Sequence, residues 1–128
     1  MDDTSDASLR ILLVDDDKDI TFTLKRGLES YGHRVDTFNR PLDALEHDAR
    51  RYDVAILDIR MPEINGFQLA RRLWQQNRDL QICFLSAFEI KHTEAESVMP
   101  SLMSHCFLTK PVTARALASH VQSHFIIE

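Results

Sequence analysis

The sequence lacks a long hydrophobic segment, an excess of basic residues and a secretory start. No apolar run approaches the roughly 18 residues that a transmembrane helix needs. The N-terminus, residues 1–8, is acidic and polar, whereas a secretory signal has a basic start and an apolar core. The chain has 15 Lys and Arg against 20 Asp and Glu, so we expect no general affinity for nucleic acid or anionic membranes. These absences predict a soluble cytoplasmic protein.

Cysteine is also scarce. The chain has two cysteines, Cys83 and Cys106, and each lies inside an apolar run. Two thiols are too few for a disulfide framework or a cysteine-based metal site. Because a buried reduced cysteine behaves as a small apolar residue, we expect both to be reduced core residues.

What the sequence does have is a regular alternation of short apolar runs with helical patterns. The apolar runs predict strands, and the segments between them have the three-to-four-residue spacing of amphipathic helices. Asp17 and Thr113 are predicted N-caps of the first and last helices, and Gly32 is the predicted end of the first. The predicted strands are residues 9–14, 34–38, 53–57, 80–85 and 106–109. Further helices are predicted from Pro41, from near Gly66 and over residues 90–99.

Five strands separated by helices predict one α/β domain, in which helices cover both faces of a parallel sheet. We assign this domain to residues 9–128, after a disordered acidic tail of residues 1–8. In open sheets of this kind, ligands bind beyond the carboxyl ends of the strands. Polar residues end or follow the predicted strands at this edge, namely Asp15, Asp16, Asp17, Asp58, Ser86 and Lys110.

The carboxylates at this edge predict a cation site. Like charges that lie close together raise one another's pKa, and a bound cation normally offsets their repulsion. Oxygen ligands favour a hard cation, and Mg²⁺ is the most plausible one. With Ser86 and Lys110 nearby, the group is typical of a site that handles phosphoryl groups. Asp17 is predicted to cap a helix rather than to bind the metal.

From about residue 9 to residue 125, the chain resembles the receiver domain of two-component response regulators. The matching motifs occur in order: Asp15-Asp16, Asp58 with Met61-Pro62 and Gly66, Ser86-Ala87, Phe107, and Lys110-Pro111. The resemblance implies a flavodoxin-like fold with strand order 2-1-3-4-5. It also implies a phosphorelay function, in which a histidine kinase or phosphotransfer protein phosphorylates the chain and a downstream protein effector receives the signal.

For the acidic residues, the resemblance implies that Asp58 is the phosphoacceptor. Asp16 and Asp58 would bind Mg²⁺ directly, Asp15 would bind it through a water molecule, and Arg60 would contribute its backbone carbonyl. The cation would screen the approach of an anionic phosphoryl group to a carboxylate nucleophile.

The remaining motif residues are implied to stabilise the phosphoryl group and to transmit its presence. Ser86, the backbone of Ala87 and the Lys110 ammonium would contact the phosphoryl oxygens. Ser86 and Phe107 would form a conformational switch that acts on the last helix–strand–helix surface. Pro111 would have a structural role by favouring an extended backbone at Lys110.

Two alternatives from other classes stay open at this point. Asp15-Asp16-Asp17 also fits the Asp-x-Asp motif of a haloacid-dehalogenase-like phosphatase, in which Asp15 would be the nucleophile. That family has Thr or Val two residues after the second Asp of the motif, where this chain has Asp19. It also has an acidic pair late in the sequence, which this chain lacks after Lys110. The other alternative is a receiver-like interaction module that is never phosphorylated. We expect a signalling domain that takes part in its own phosphorylation and dephosphorylation, not an enzyme, and a homodimer is compatible with the sequence.

Overall fold

The computed structural model describes residues 8–87 and 106–125. The described strands are β1 (Arg10–Val14), β2 (Arg34–Phe38), β3 (Val54–Asp58), β4 (Gln81–Ser86) and β5 (Cys106–Thr109). The helices are α1 (Lys18–Ser30), α2 (Pro41–Ala44), α3 (Gly66–Gln76) and α4 (Ala114–Phe125), and a 3-10 turn, Ala49–Arg51, precedes β3. The predicted helix over residues 90–99 and residues 1–7 of the predicted tail lie outside the described ranges. None of the described helices is both long and apolar enough to cross a bilayer.

The five strands form one parallel sheet in the order β2-β1-β3-β4-β5. This confirms the predicted parallel sheet and the strand order implied by the resemblance. Strands β3 and β4 each begin and end one residue later than predicted, because the ladder continues through the pairs Asp58↔Leu85 and Ser86↔Thr109. Asp58 and Ser86 are therefore the last residues of their strands.

The strands bury side chains on both faces of the sheet, as the continuous apolar runs predicted. Leu12 and Val14 of β1 belong to a cluster that includes α3, whereas Ile11 and Leu13 belong to a cluster that includes α1 and α4. These four side chains are completely buried. Since burying one such side chain stabilises a fold by roughly 1.5–3 kcal/mol, the sheet holds both helical layers in place.

The predicted helix ends are present. The Asp17 side chain accepts a hydrogen bond of 2.9 Å from the Asp19 backbone N–H at the start of α1. Gly32 follows α1 with a φ of 96°, a left-handed conformation that favours glycine. Thr113 Oγ1 accepts a hydrogen bond of 3.0 Å from the Ala116 backbone N–H at the start of α4. These three caps confirm the sequence-based predictions.

The prediction of reduced cysteines is wrong for Cys83. Its side chain is completely buried, as expected, but it forms a disulfide. The chain's other cysteine is Cys106, and the two Cα atoms are register partners on β4 and β5. Neighbouring strands lie about 4.8 Å apart, which is within the Cα separation that a disulfide spans. The sequence alone did not show this register.

Candidate functional site

The carboxyl ends of the strands surround a pocket of about 310 Å³. Its wall combines four aspartates, a lysine and a hydroxyl, which are the residue types predicted for a phosphoryl site. The lining residues are Asp15, Asp16, Asp17, Asp58, Arg60, Ser86, Ala87 and Lys110. The structure thus brings together all the residues predicted for metal binding and for phosphoryl stabilisation.

Lys110 forms ion pairs with two carboxylates in this pocket. Its Nζ lies 2.8 Å from Asp15 Oδ2 and 3.2 Å from Asp58 Oδ1. Asp15 is completely buried, and Asp58 and Ser86 are almost so. The backbone N–H of Lys110 donates a hydrogen bond of 2.7 Å to the Ser86 carbonyl, which fixes the lysine at the end of the sheet. The Lys110–Pro111 peptide bond is cis.

The pKa values of Asp58, Asp15 and Lys110 are all raised in this pocket. Burial and the neighbouring Asp15 charge raise the pKa of Asp58 to about 6, although Lys110 acts in the opposite sense. Burial also raises the pKa of Asp15. For Lys110, burial disfavours the charged form, but its contacts with the two carboxylates prevail and raise its pKa. The pocket therefore favours positive charge beyond that of one lysine.

The acidic side chains fit a hard cation. Asp15, Asp16 and Asp58 each offer a carboxylate oxygen, and these atoms all lie within 4.8 Å of one another. Asp16 is exposed, so this side of the group is open to solvent. A donor set made only of oxygen atoms suits Mg²⁺ rather than a softer metal. Asp17 lines the same pocket, but its side chain caps α1, as predicted.

Asn39, which no motif in the sequence singled out, holds the backbone at Asp15. Its Nδ2 donates hydrogen bonds of 2.8 Å to the Asp15 carbonyl and 2.9 Å to Thr21 Oγ1. Asp15 Oδ1 in turn accepts a hydrogen bond of 2.9 Å from the Asp17 backbone N–H. Asn39 lies 24 residues beyond Asp15, so no local pattern in the sequence predicted this contact.

Gly66, the first residue of α3, packs against the backbone of Asp58 at the end of β3. A Cβ atom at Gly66 would overlap the Asp58 carbonyl oxygen and crowd Ile59 Cα. The Gly66 N–H donates a hydrogen bond of 2.8 Å to the Ile59 carbonyl. Only glycine therefore allows α3 to approach the end of β3 this closely.

Phe107, the predicted switch residue, lies outside the pocket lining. Its ring stacks on that of Phe84, with the centroids 5.2 Å apart and the planes inclined by 23°. The side chain is half-buried against the core cluster on the α3 face. Phe84 and Phe107 are register partners on β4 and β5, and Ser86 is two residues beyond Phe84. The two switch residues therefore sit on neighbouring strands.

Comparisons with known proteins point to a single family. Residues 11–122 match the response regulator receiver domain. Transcriptional regulatory protein SpaR of Bacillus subtilis is 32% identical over 117 residues, which cover 90% of this chain and 51% of SpaR. The chain thus spans about half the length of that relative. Response regulator receiver protein CpdR of Brucella abortus is 32% identical over 118 residues, which cover 91% of this chain and 97% of CpdR.

A solved structure of a response regulator protein is also similar to this chain. Response regulator protein TrrA of Thermotoga maritima, in complex with Mg²⁺ and BeF, is 30% identical, with a TM-score of 0.73, and the alignment covers 89% of this chain and 96% of TrrA. These similarities do not favour the phosphatase alternative. The family match spans most of the chain, including both the acidic group and Lys110. The chain therefore belongs to the response regulator receiver domain family of two-component signal transduction systems.

Proposed function

We propose that Asp58 is the residue of this receiver domain that accepts the phosphoryl group. The donor is a phosphohistidine on a histidine kinase or a phosphotransfer protein. An Asp58 carboxylate oxygen forms a bond to phosphorus while the phosphorus–nitrogen bond breaks and the imidazole keeps that electron pair. The observation that carries the proposal is the position of Lys110, whose Nζ lies 3.2 Å from Asp58 Oδ1 and 2.8 Å from Asp15 Oδ2.

The protonation states support this role for Asp58. Its pKa of about 6 leaves the carboxylate mostly ionised, and so nucleophilic, at neutral pH. Lys110 stays protonated and supplies a cation beside the attacking oxygen. We propose that Lys110, the Ser86 hydroxyl and the Ala87 backbone stabilise the charge on the transferred group, since all three residues line the pocket.

We further propose that Asp15, Asp16, Asp58 and the Arg60 carbonyl hold Mg²⁺. When bound, Mg²⁺ supplies positive charge that screens an anionic phosphoryl group from the carboxylates. The closeness of the carboxylate oxygens and the raised pKa of Asp58 support this assignment. Arg60 is two residues beyond Asp58 and lines the same pocket.

The proposed output is a change at the surface that the predicted helix over residues 90–99, β5 and α4 would form. Phosphorylation would draw Ser86 toward the phosphoryl group and shift the balance of Phe107 conformers, since the two residues lie on paired strands. A downstream protein effector would recognise that surface, without direct contact to nucleic acid. We extend the proposal to the whole domain, which spans residues 9–128 and acts in the cytoplasm. The domain takes part in its own dephosphorylation, and a homodimer is one form of its output.

The test is the intact mass of the chain after incubation with acetyl phosphate and Mg²⁺. We expect the native chain to gain one phosphoryl group and the Asp58→Asn variant to gain none. Asp79→Asn, which changes an exposed acid outside the pocket, is the matched control and should be modified like the native chain.

The same experiment separates the alternatives. Modification that persists in Asp58→Asn and disappears in Asp15→Asn would overturn the proposal and support the phosphatase chemistry. A native chain that acetyl phosphate leaves unmodified, and that a histidine kinase also leaves unmodified, would support the interaction module.

A further inference from the structure

A second groove lies at the opposite end of the sheet from the phosphoryl pocket. Arg10 begins β1, Arg34 begins β2, and Arg51 ends the turn that precedes β3. Arg10 and Arg34 are register partners on adjacent strands. The groove has a volume of about 400 Å³ and is lined by Arg10, Ile11, Arg34, Asp36, Arg51 and Tyr52. It shares no residue with the phosphoryl pocket.

The groove exists because little covers this face of the edge strand β2. The crossover from β2 to β3 contains only the four-residue helix α2 and a three-residue 3-10 turn. Asp36 lies in the middle of β2, yet 48% of its side-chain surface is exposed. A strand position that a longer helix would bury is thus open to a ligand.

The groove is positively charged on a chain whose net charge is -5. Asp53 engages Arg10, with Oδ1 3.1 Å from Nη2, and Asp36 Oδ2 lies 3.9 Å from Arg51 Nη2. Among the residues that the structure describes, the Arg34 side chain has no hydrogen-bond or ion-pair partner. Its guanidinium keeps all five donors available for a ligand.

Asp36 restricts what the groove can bind. Tyr52 donates a hydrogen bond of 2.7 Å from its hydroxyl to Asp36 Oδ2, so the carboxylate is held in place beside the arginines. A fixed carboxylate repels a ligand that is anionic throughout. It favours a ligand that presents an anion at one end and hydroxyl or amine donors at the other.

We propose that this groove binds a nucleotide. Guanidinium groups bind phosphate oxygens in a bidentate manner, so Arg34 suits the phosphate end. Arg10 adds positive charge there while its guanidinium donates to Asp53, and Asp36 suits the ribose hydroxyls. A volume of about 400 Å³ lies within the usual range of small-molecule sites. The proposal is independent of phosphorylation at Asp58, because the two sites lie at opposite ends of the strands.

The test is calorimetric titration of the native chain with ADP, in the absence of Mg²⁺. We expect ADP to bind and Arg34→Ala to weaken binding by about tenfold or more, the effect of losing charge-assisted hydrogen bonds. Arg34→Lys should restore only part of the affinity, because ammonium lacks the bidentate geometry. Arg71→Ala removes an exposed arginine of α3 and should leave binding unchanged. Thermal unfolding of each variant checks that it is folded.

Inorganic pyrophosphate tests the role of Asp36. Asp36→Asn should weaken ADP binding while it strengthens pyrophosphate binding, because the substitution replaces one carboxylate oxygen that accepts from the ribose with an NH2 donor and removes a repulsive charge. Asp58→Asn should bind ADP like the native chain. Absence of ADP binding at millimolar concentration, equal weakening by Arg34→Ala and Arg71→Ala, or loss of binding in Asp58→Asn would each overturn the proposal.

Discussion

The Asn39 side chain donates a hydrogen bond of 2.8 Å to the Asp15 carbonyl. The loop after β2 is thereby attached to the loop after β1. Asp15 is buried, and Lys110 contacts the carboxylates of both Asp15 and Asp58. The distance between these two carboxylates therefore depends on a fixed backbone position at Asp15. Asn39 supplies this restraint without entering the pocket.

Asn39→Ala should therefore weaken Mg²⁺ binding as well as stability. The Asp15 carbonyl and the Thr21 hydroxyl would lose a partner, at a cost of about 1 kcal/mol in the free energy of unfolding. Calorimetric titration with Mg²⁺ and urea denaturation measure the two effects. Asn77→Ala is the matched control, since Asn77 Nδ2 donates to the carbonyls of Ala49 and Tyr52, away from the pocket. Equal Mg²⁺ affinities in the two variants would contradict a positioning role.

Gly66→Ala should impair phosphorylation by displacing Asp58. The new Cβ would overlap the Asp58 carbonyl oxygen, so either β3 or α3 must shift. Gly27→Ala is a suitable comparison, because a Cβ there would overlap Ala114 Cβ where α1 meets α4. We expect both variants to lose stability, but only Gly66→Ala to slow phosphorylation by acetyl phosphate. The rate of mass gain, measured at a temperature where both variants are folded, decides the matter.

Asp58→Asn should stabilise the chain at neutral pH. The folded state holds the Asp58 proton up to a pH of about 6, whereas the unfolded chain releases it near 3.8. The folded state therefore binds more protons in this window, and the free energy of unfolding of the native chain falls as the pH rises from about 4 to about 6. Asn does not titrate, so the free energy of unfolding of the variant should exceed that of the native chain by on the order of 3 kcal/mol above pH 6.

Urea denaturation at several pH values checks this expectation. The difference between Asp58→Asn and the native chain should grow between pH 4 and pH 6 and then stay level. A difference that is constant over this range would show that the Asp58 carboxyl is not perturbed in the folded state.

Lys110→Met should destabilise the chain and increase its response to Mg²⁺. The substitution leaves Asp15 and Asp58 buried without a counter-charge, which typically costs about 3–5 kcal/mol at neutral pH. A cation would relieve more repulsion in the variant than in the native chain. Thermal unfolding with and without Mg²⁺ measures this difference. Lys25→Met removes an ion pair with Glu29 and a hydrogen bond to the Val35 carbonyl, both away from the pocket, and should show the native response to Mg²⁺.

Much of the fold and of the pocket followed from local patterns in the sequence. Continuous apolar runs predicted the strands, and parallel strands bring their carboxyl ends together, so Asp15, Asp58 and Lys110 were expected to meet. The strand order came from the family resemblance, because periodicity does not determine which strands pair.

Features that depend on pairing or on distant contacts were not predictable in this way. The disulfide of Cys83 reflects strand register, and the Asn39 bond to Asp15 joins residues 24 apart. The arginine groove follows from the shortness of α2 and from the alignment of Arg10 with Arg34.

The order of the strands also determines which part of the phosphoryl pocket opens first. Asp15 and Asp58 are held by β1 and β3, which have a paired strand on each side, whereas Lys110 follows β5, which pairs only with β4 in the part of the sheet that the structure describes. Edge strands open locally at a lower free-energy cost than central strands do, so their amide hydrogens exchange faster. Fraying of the carboxyl end of β5, beyond Cys106, would withdraw the lysine while the carboxylates kept their arrangement. Local unfolding would therefore change the charge of the pocket before it changed its shape.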